Sequence, residues 1–289
     1  MPSARAERAL AKVNLTLRVI GRRPDGYHDL ESLVVFASVG DELTLAAGPR
    51  LLLTVRGPTA GSSGALADNL VLKAANALAE RVGGLRLGRF VLSKRLPVAA
   101  GLGGGSADAA AALRLLARRN HLALDDERLC EAARVTGADV PVCLDPRPRL
   151  MSGVGNLLSS PLELPRLAAV LVNPRVPVPT KGIFERLSAP RVVLAAKVSE
   201  DYPPTDRAGL LSYLTDRGNN LELPAVALQP VVAEVLEALR RLPGCRLARM
   251  SGSGATCFAL FDNAKAAAAA ARTLRERKPD WWVRPAMLG

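Results

Sequence analysis

Aromatic side chains are scarce in this chain, 3% of 289 residues. A platform that stacks single-stranded nucleic acid needs aromatic faces, so the composition argues against one. Histidine is scarcer still, with two copies. The four cysteines, Cys130, Cys143, Cys245 and Cys257, make no Cys-x-x-Cys pair and stand far from both histidines. That leaves no zinc ligand set, and packed, reduced thiols are expected. No apolar run approaches the length of a membrane span. Residues 1–8 carry charges where a signal peptide has its apolar region. A soluble, cytoplasmic protein without membrane contact is expected.

Hydrophobic residues make up 49% of the chain, too many for general disorder. The length suffices for one large or two ordinary domains. Lysine and arginine number 39 against 27 acidic residues, a net charge of +12. Such a balance favours anionic partners, either nucleic acid or small phosphate esters. The basic residues are scattered, so most read as solvated surface, with a few left for bound phosphate.

Periodicity predicts an α+β chain. Residues 11–19 alternate apolar and polar, a strand with Lys12 and Asn14 on one face. By pattern alone that face is solvated. Residues 21–26 form a proline-glycine turn. Strands follow at 30–39 and 42–46, separated by Gly40-Asp41, and at 51–55. Residues 59–67 read as a surface loop. A helix capped by Asp68 runs to about residue 82. After a strand at 90–96, one helix runs from Ser106 to Asn120. The next is capped by Asp125 or Asp126 and ends at Gly137, with Pro141 barring any continuation. Residues 145–161 lack periodicity, and a boundary near their end gives domains 1–160 and 161–289. The second half shows a strand at 168–172, a short helix capped by Thr180, and weakly patterned helices across 192–220. An amphipathic helix follows at 230–242. Strands at 246–250 and 255–261 are joined by Ser251-Gly252-Ser253-Gly254. An alanine-rich helix capped by Asp262 or Asn263 and a strand at 281–284 close the chain.

The stretch Leu96-Pro97-Val98-Ala99-Ala100-Gly101-Leu102-Gly103-Gly104-Gly105-Ser106 runs straight into a helix. Four glycines in five positions let backbone N–H groups approach a ligand. The helix start adds unpaired N–H groups and positive partial charge, so the pair makes an anion cradle suited to phosphate. It is not a Walker A loop, since no Gly-Lys-Ser/Thr follows. It fits the dinucleotide Gly-x-Gly-x-x-Gly poorly, since no acidic residue ends a following strand.

Three further stretches accompany it. One is Ala11-Lys12-Val13-Asn14-Leu15 with Gly21-Arg22-Arg23-Pro24-Asp25-Gly26-Tyr27-His28. The others are Thr136-Gly137-Ala138-Asp139-Val140-Pro141 and Met250-Ser251-Gly252-Ser253-Gly254-Ala255. With Pro97-x-x-x-Gly101-Leu102-Gly103 they resemble the GHMP kinases in order and spacing, over nearly the whole chain. Gly26-Tyr27-His28 is similar to the segment by which one branch of that family binds cytidine. The resemblance implies a two-domain α+β fold. Its amino-terminal half would be like domain 2 of ribosomal protein S5, its carboxyl-terminal half a β-α-β-β-α-β sandwich, with the active site in the cleft between. It implies transfer of the γ-phosphoryl group of ATP, with Mg²⁺, to an alcohol of a small cytidylyl diphosphate substrate. The partner would be that small molecule and no nucleic acid, and the protein a monomer or weak homodimer. The alternatives are a GHMP kinase for homoserine, mevalonate or a sugar, and a basic nucleic-acid-binding protein.

Taken residue by residue, the resemblance makes Asp139 the general base. Lys12 would lower the alcohol's pKa and hold the moving phosphoryl charge. Pro97, Ala99, Ala100, Gly101 and Leu102 would cradle ATP together with Gly103, Gly104, Gly105, Ser106 and Ala107. Asn69 and Lys94 would lie near adenosine and its phosphates. Asn14, Tyr27, His28, Thr180 and Phe184 would hold the substrate, with Tyr27 and Phe184 facing cytosine and His28 bonding its edge. The metal ligands stay unassigned, with Ser106 a candidate. From the residues alone, Asp139 reads as a helix-end surface residue and Tyr27 as cover for its turn. Phe184 reads equally as a core ring, and Ser251 to Gly254 as a plain hairpin turn. Two departures stand out. Ala107 replaces a frequent Ser or Thr, which rules out a hydroxyl role there. Asn156 ends Gly153-Val154-Gly155-Asn156 where the family commonly has Glu.

Overall fold

The computed structural model describes residues 5–192 and 197–289. In chain order its strands are β1 (Arg5–Asn14), β2 (Arg18–Arg22), β3 (His28–Ala47), β4 (Leu52–Arg56), β5 (Gly88–Ser93), β6 (Arg149–Gly153), β7 (Leu157–Leu158), β8 (Leu167–Asn173), β9 (Leu247–Met250), β10 (Cys257–Phe261) and β11 (Trp282–Leu288). The helices are α1 (Leu70–Arg81), α2 (Gly104–Asn120), α3 (Glu127–Thr136), α4 (Val140–Leu144), α5 (Thr180–Glu185), α6 (Arg207–Asp216), α7 (Glu222–Leu228), α8 (Val231–Arg240) and α9 (Ala264–Arg277). They form two compact units, each assembled from separate stretches. The first takes the stretch ending at Ala11 with Gly40–Val98 and Gly103–Pro146; the second takes Lys12–Val39, Ala99–Leu102 and Arg147–Gly289.

In the first unit the second half of β3 pairs antiparallel with β5, from Glu42 opposite Ser93 to Ala47 opposite Gly88. β4 pairs parallel with β5. Helices α1, α2, α3 and α4 pack on one another, with α2 at the centre. Every residue of α2 from Ala107 to Ala117 is buried. A helix buried all round is a core element, and its alanines let three neighbours approach closely.

Sequence and structure part at four points here. β3 runs unbroken through Gly40-Asp41. A Cβ at Gly40 would stand 2.2 Å from the carbonyl oxygen of Ala9, so this glycine marks a close approach of β1 and not a turn. The buried Asp41 carboxylate accepts from the N–H groups of Arg95 and Leu96. The cap of α1 is Asn69, not Asp68: its Oδ1 accepts from Val71 N at 3.0 Å. α2 opens at Gly104, two residues before the expected Ser106. Pro141 sits in the first turn of α4, where no N–H is needed, and starts a helix instead of ending one.

In the second unit β11, β8, β10 and β9 form an antiparallel sheet in that order. α8 buries Val232, Val235, Leu236 and Leu239, and α9 buries Ala267, Ala270, Ala271 and Leu274. Both are the i, i+3, i+4, i+7 stripe of an amphipathic helix. They share one core with Val170, Val172, Ala259 and Phe261 of β8 and β10. The order β8, α8, β9, β10, α9, β11 is the expected β-α-β-β-α-β. The first half of β3 pairs with β6, from Leu30 opposite Gly153 to Val34 opposite Arg149.

Here too the sequence reading needs correction. β6 and β7 lie in the aperiodic stretch 145–161, where they are too short to show a period. The strand expected at 11–19 stops at Asn14 and resumes as β2. Between them Thr16 Oγ1 accepts from Leu33 N at 3.0 Å. α7 falls between the weakly patterned stretch and the helix expected at 230–242, and Pro224 is tolerated in its first turn. The cap of α5 is Pro179, with Thr180 its first residue. Of the weakly patterned stretch, residues 193–196 lie outside the described residues.

Candidate active site

Two glycine turns meet in the second unit. Gly101 has a φ of +71°, and a Cβ there would stand 2.4 Å from Ser251 O and 2.9 Å from Gly254 N. Glycine alone satisfies both demands. Ser251 Oγ donates to Gly101 O at 3.0 Å, and Thr256 N donates to Ala100 O at 3.1 Å. Asn219 Nδ2 holds the second turn, donating to Met250 O at 2.9 Å and Gly252 O at 2.8 Å. Lys12 N donates to Leu102 O at 2.9 Å, and Asn14 N donates to Ser251 Oγ at 3.1 Å. Asn14 Nδ2 also donates to Ser32 Oγ at 2.7 Å. Lys12 and Asn14 are 4% and 2% exposed. The polar face of this strand is therefore inside, which corrects the solvated face its pattern alone predicts.

In the first unit Gly103, with a φ of +59°, leads into the seventeen-residue helix α2. The N–H groups of Gly104, Gly105 and Ser106 have no acceptor within the helix and stand at its positive end. Such an opening accommodates phosphate oxygens. A Cβ on Gly104 would meet Leu96 Cδ1 at 3.5 Å and Lys94 Nζ at 3.6 Å, both ordinary contacts. Steric necessity thus falls on Gly101, not on Gly104.

Lys94 Nζ lies 2.5 Å from Asp41 Oδ2 and 2.8 Å from Asp108 Oδ2, with all three side chains buried. Burial opposes the charge on Lys94, but Asp108 and Asp41 outweigh it and raise its pKa. Burial pushes the Asp108 carboxyl up to about 7; Lys94 opposes that rise and the charge of Asp41 adds to it. The ammonium of Lys94 is thus committed to carboxylates, and its backbone N–H donates to Arg56 O at 2.7 Å. Asn69 likewise spends its carbonyl oxygen on the cap of α1, leaving its amide nitrogen. Asp139 is the half-buried N-cap residue of α4.

The proline-glycine turn belongs to the second unit. Gly26, φ +89°, donates its N–H to Arg23 O at 3.0 Å. Beyond it Tyr27 is 67% exposed. His28 stacks on Phe184, with ring centroids 4.9 Å apart and planes 28° apart. Phe184 also packs against the core of the sheet. His28 Nε2 is buried and has no hydrogen-bond partner among the described residues. Burial and the charge of Arg22 lower the pKa of this imidazole. Neutral, it offers one donor and one acceptor. Thr180 Oγ1 lies 2.9 Å from Ser253 Oγ, which ties α5 to the second glycine turn.

The second unit thus gathers Lys12, Asn14, Ala100 to Leu102, Thr180 and the Ser251 to Gly254 turn, with His28 on Phe184 nearby in the chain. The first unit holds Asn69, Lys94, the start of α2 and Asp139. Sequence reasoning missed Asp41, Asp108 and Asn219. Asp41 follows Gly40, which by pattern alone separates two strands, and Asn219 stands in the weakly patterned stretch. Asp108 gave a usable signal, a lone charge within an alanine run. Among the described residues no three His, Cys, Asp or Glu side chains come together as a metal cluster.

A family model described as GHMP kinases N terminal domain matches residues 69–145, and one described as GHMP kinases C terminal matches residues 201–280. Over 286 residues the chain is 58% identical to a Xanthobacter autotrophicus protein named 4-diphosphocytidyl-2-C-methyl-D-erythritol kinase, covering 97% of this chain and 98% of that one. A solved structure of 4-(cytidine 5'-diphospho)-2C-methyl-D-erythritol kinase matches with a TM-score of 0.76 and 33% identity over 99% of both chains. Homoserine kinase from Cytophaga hutchinsonii shares the fold, with a TM-score of 0.70 at 20% identity over 99% of this chain and 95% of that one.

Proposed function

The chain belongs to the GHMP kinases, and we propose that it moves the γ-phosphoryl group of ATP onto the 2-hydroxyl of 4-diphosphocytidyl-2-C-methyl-D-erythritol, in the non-mevalonate route to isoprenoid precursors. The observation that carries this reading is the packing of Gly101 against Ser251 and Gly254, beside Lys12 and Asn14. It joins three of the four stretches that carry the family resemblance. The orphaned Nε2 of His28 supports a substrate with a base edge to bond.

The N–H groups opening α2 bind phosphate oxygens of ATP. The substrate's alcohol oxygen attacks the γ-phosphorus, and the bond to the β–γ bridging oxygen breaks as ADP leaves. Asp139 accepts the alcohol's proton. Lys12 steadies the alkoxide and the charge spreading over the phosphoryl oxygens. Mg²⁺, when bound, neutralises charge on the β- and γ-phosphates. Ser106, on the first turn of α2, would hold Mg²⁺ carried on the nucleotide, since that cation is usually bound by few protein groups plus phosphates. The same reading has the protein acting in the cytoplasm on small molecules, as a monomer or weak homodimer. It places a domain boundary near residue 160, supported by the two family models falling on either side of it.

The test is ADP release from ATP with the cytidylyl substrate, set against the same polyol without its nucleotide. Turnover with the cytidylyl compound alone is expected. Equal turnover of both, or of homoserine or mevalonate, would overturn the substrate assignment.

A further inference from the structure

Arg114 is a guanidinium inside an apolar helix, in the run Ala112-Leu113-Arg114-Leu115-Leu116 of α2, and it is 8% exposed. Its hydrogen bonds go to two other segments of the first unit. Nη1 donates to Cys143 O at 2.6 Å and to Leu144 O at 3.4 Å. Nη2 donates to Arg8 O at 3.0 Å, and Nε donates to Glu7 Oε2 at 3.1 Å. Cys143 and Leu144 are the last two residues of α4. Glu7 and Arg8 belong to β1.

α4 has five residues, too few to persist on its own. Its final carbonyls have no acceptor role within the helix, and a cation at that end satisfies them and opposes the negative end of the dipole. Asp139 occupies the N-cap position at the other end of α4, about 7.5 Å away along the axis, with no capping hydrogen bond made by its side chain. Fixing the carbonyl end of so short a helix therefore fixes its aspartate end. A buried cation is a poor way to gain stability alone, because well-packed apolar residues commonly do as well. The fork geometry of a guanidinium does what an apolar side chain cannot: it locks α2, β1 and α4 in one register.

We propose that Arg114 is a positioning residue for phosphoryl transfer: by holding the Cys143 and Leu144 carbonyls, it sets where the Asp139 carboxylate stands. This rests on the reading of Asp139 as the general base. α2 begins at the phosphate-binding glycines and carries Arg114 ten residues later. The same helix thus supports both the phosphate loop and the segment bearing the base.

The test uses the full chain with Arg114→Ala, Arg114→Lys, Asp139→Asn and the two double variants. Arg114→Lys keeps the charge facing Glu7 and loses the fork, and serves if the alanine variant fails to fold. Both single Arg114 variants are expected to lower kcat about 10- to 100-fold with KM for either substrate within about twofold, since small misplacement of a reacting group costs that much. Amide hydrogen exchange over residues 140–145 should quicken in Arg114→Lys while α3 is unchanged. In the Asp139→Asn background the Arg114 change should cost little further, because both act through one group. Three outcomes would overturn the proposal: wild-type kcat in Arg114→Lys, a full multiplicative loss in the double variants, or unchanged exchange across α4. Wild-type turnover in Asp139→Asn would instead overturn the base reading, and this proposal with it.

Discussion

Lys94 Nζ and Asp108 Oδ2 are 2.8 Å apart, and Asp41 contacts the same ammonium at 2.5 Å from the other side. Two carboxylates thus share one cation under the first residue of α2. Two like charges so close favour a proton on one of them.

Burial pushes the Asp108 carboxyl up to about 7 from its ordinary 3.8, and the neighbouring charge of Asp41 adds to that rise. A carboxyl with a raised folded-state pKa contributes stability that is fully present below its unfolded pKa. That contribution is lost as pH rises through about 7. Asp108→Asn keeps the shape and an acceptor for Lys94 but does not titrate. Relative to this variant, the wild type should lose stability steadily from about pH 4 to about pH 8. Denaturant melts of both proteins across that range check it, and parallel profiles would remove the shared proton.

A second prediction separates two glycines of one loop. Gly101→Ala drives a Cβ to 2.4 Å from Ser251 O at a positive φ, and should cost about 1–3 kcal/mol while weakening ATP binding. Gly104→Ala meets only ordinary contacts at the start of a helix, and should stabilise by about 0.5–1 kcal/mol. Calorimetry with ATP and thermal melts of the pair test this. Equal behaviour of the two variants would mean that the glycine turns are not packed as described.

A third concerns Asn219, which is 8% exposed and holds Met250 O and Gly252 O. Asn219→Ala strands both carbonyls, and each buried unsatisfied group costs about 1–3 kcal/mol. A fall in melting temperature is expected, together with a raised KM as the Ser251 to Gly254 turn loosens. An unchanged KM would detach that turn from substrate phosphates.

These residues show what the sequence makes legible. The β-α-β-β-α-β half could be read because α8 and α9 each keep a single buried stripe and β9 and β10 flank a glycine turn. The pattern splits β3 in two at Gly40, because that glycine serves a close approach to Ala9 which only the folded neighbour reveals. Lys12 and Asn14 show a polar face whose burial depends on distant partners, Leu102 for the first and Ser251, 237 residues on, for the second. Local pattern carries no such information. The turn before Tyr27 and His28 is legible in the sequence, whereas the carboxylates around Lys94 become visible only when three distant segments meet.

The last prediction tests the cytidylyl end. Tyr27 stands 67% exposed beyond a glycine whose φ is +89°, so it contributes little to packing and presents a ring to solvent. His28 is held differently: one face lies on Phe184 at 4.9 Å, and Nε2 is buried without a partner among the described residues. A cytosine stacked on Tyr27 with its edge toward Nε2 would use both features at once. Base–aromatic stacking is worth about 1–3 kcal/mol, so Tyr27→Ala should weaken cytidylyl substrate binding roughly 10- to 100-fold. Its melting temperature and ATP affinity should hardly move. Phe184→Ala should differ, because that ring also packs on the sheet core: both stability and cytidylyl affinity should fall. The pH dependence has a defined sign. Burial and the charge of Arg22 lower the His28 pKa, so the imidazole stays neutral down to below its ordinary 6.5. Its contribution to stability is present above that value and is lost as pH falls through the lowered folded-state pKa. Substrate affinity should fall over the same acid range as Nε2 loses its acceptor character, and His28→Gln should remove that limb. Calorimetry with the cytidylyl substrate and with ATP, at neutral and acid pH, reads all of these. A Tyr27→Ala protein that melts early and binds both ligands normally would make Tyr27 a turn cover, and would leave the acceptor of this kinase to be sought elsewhere.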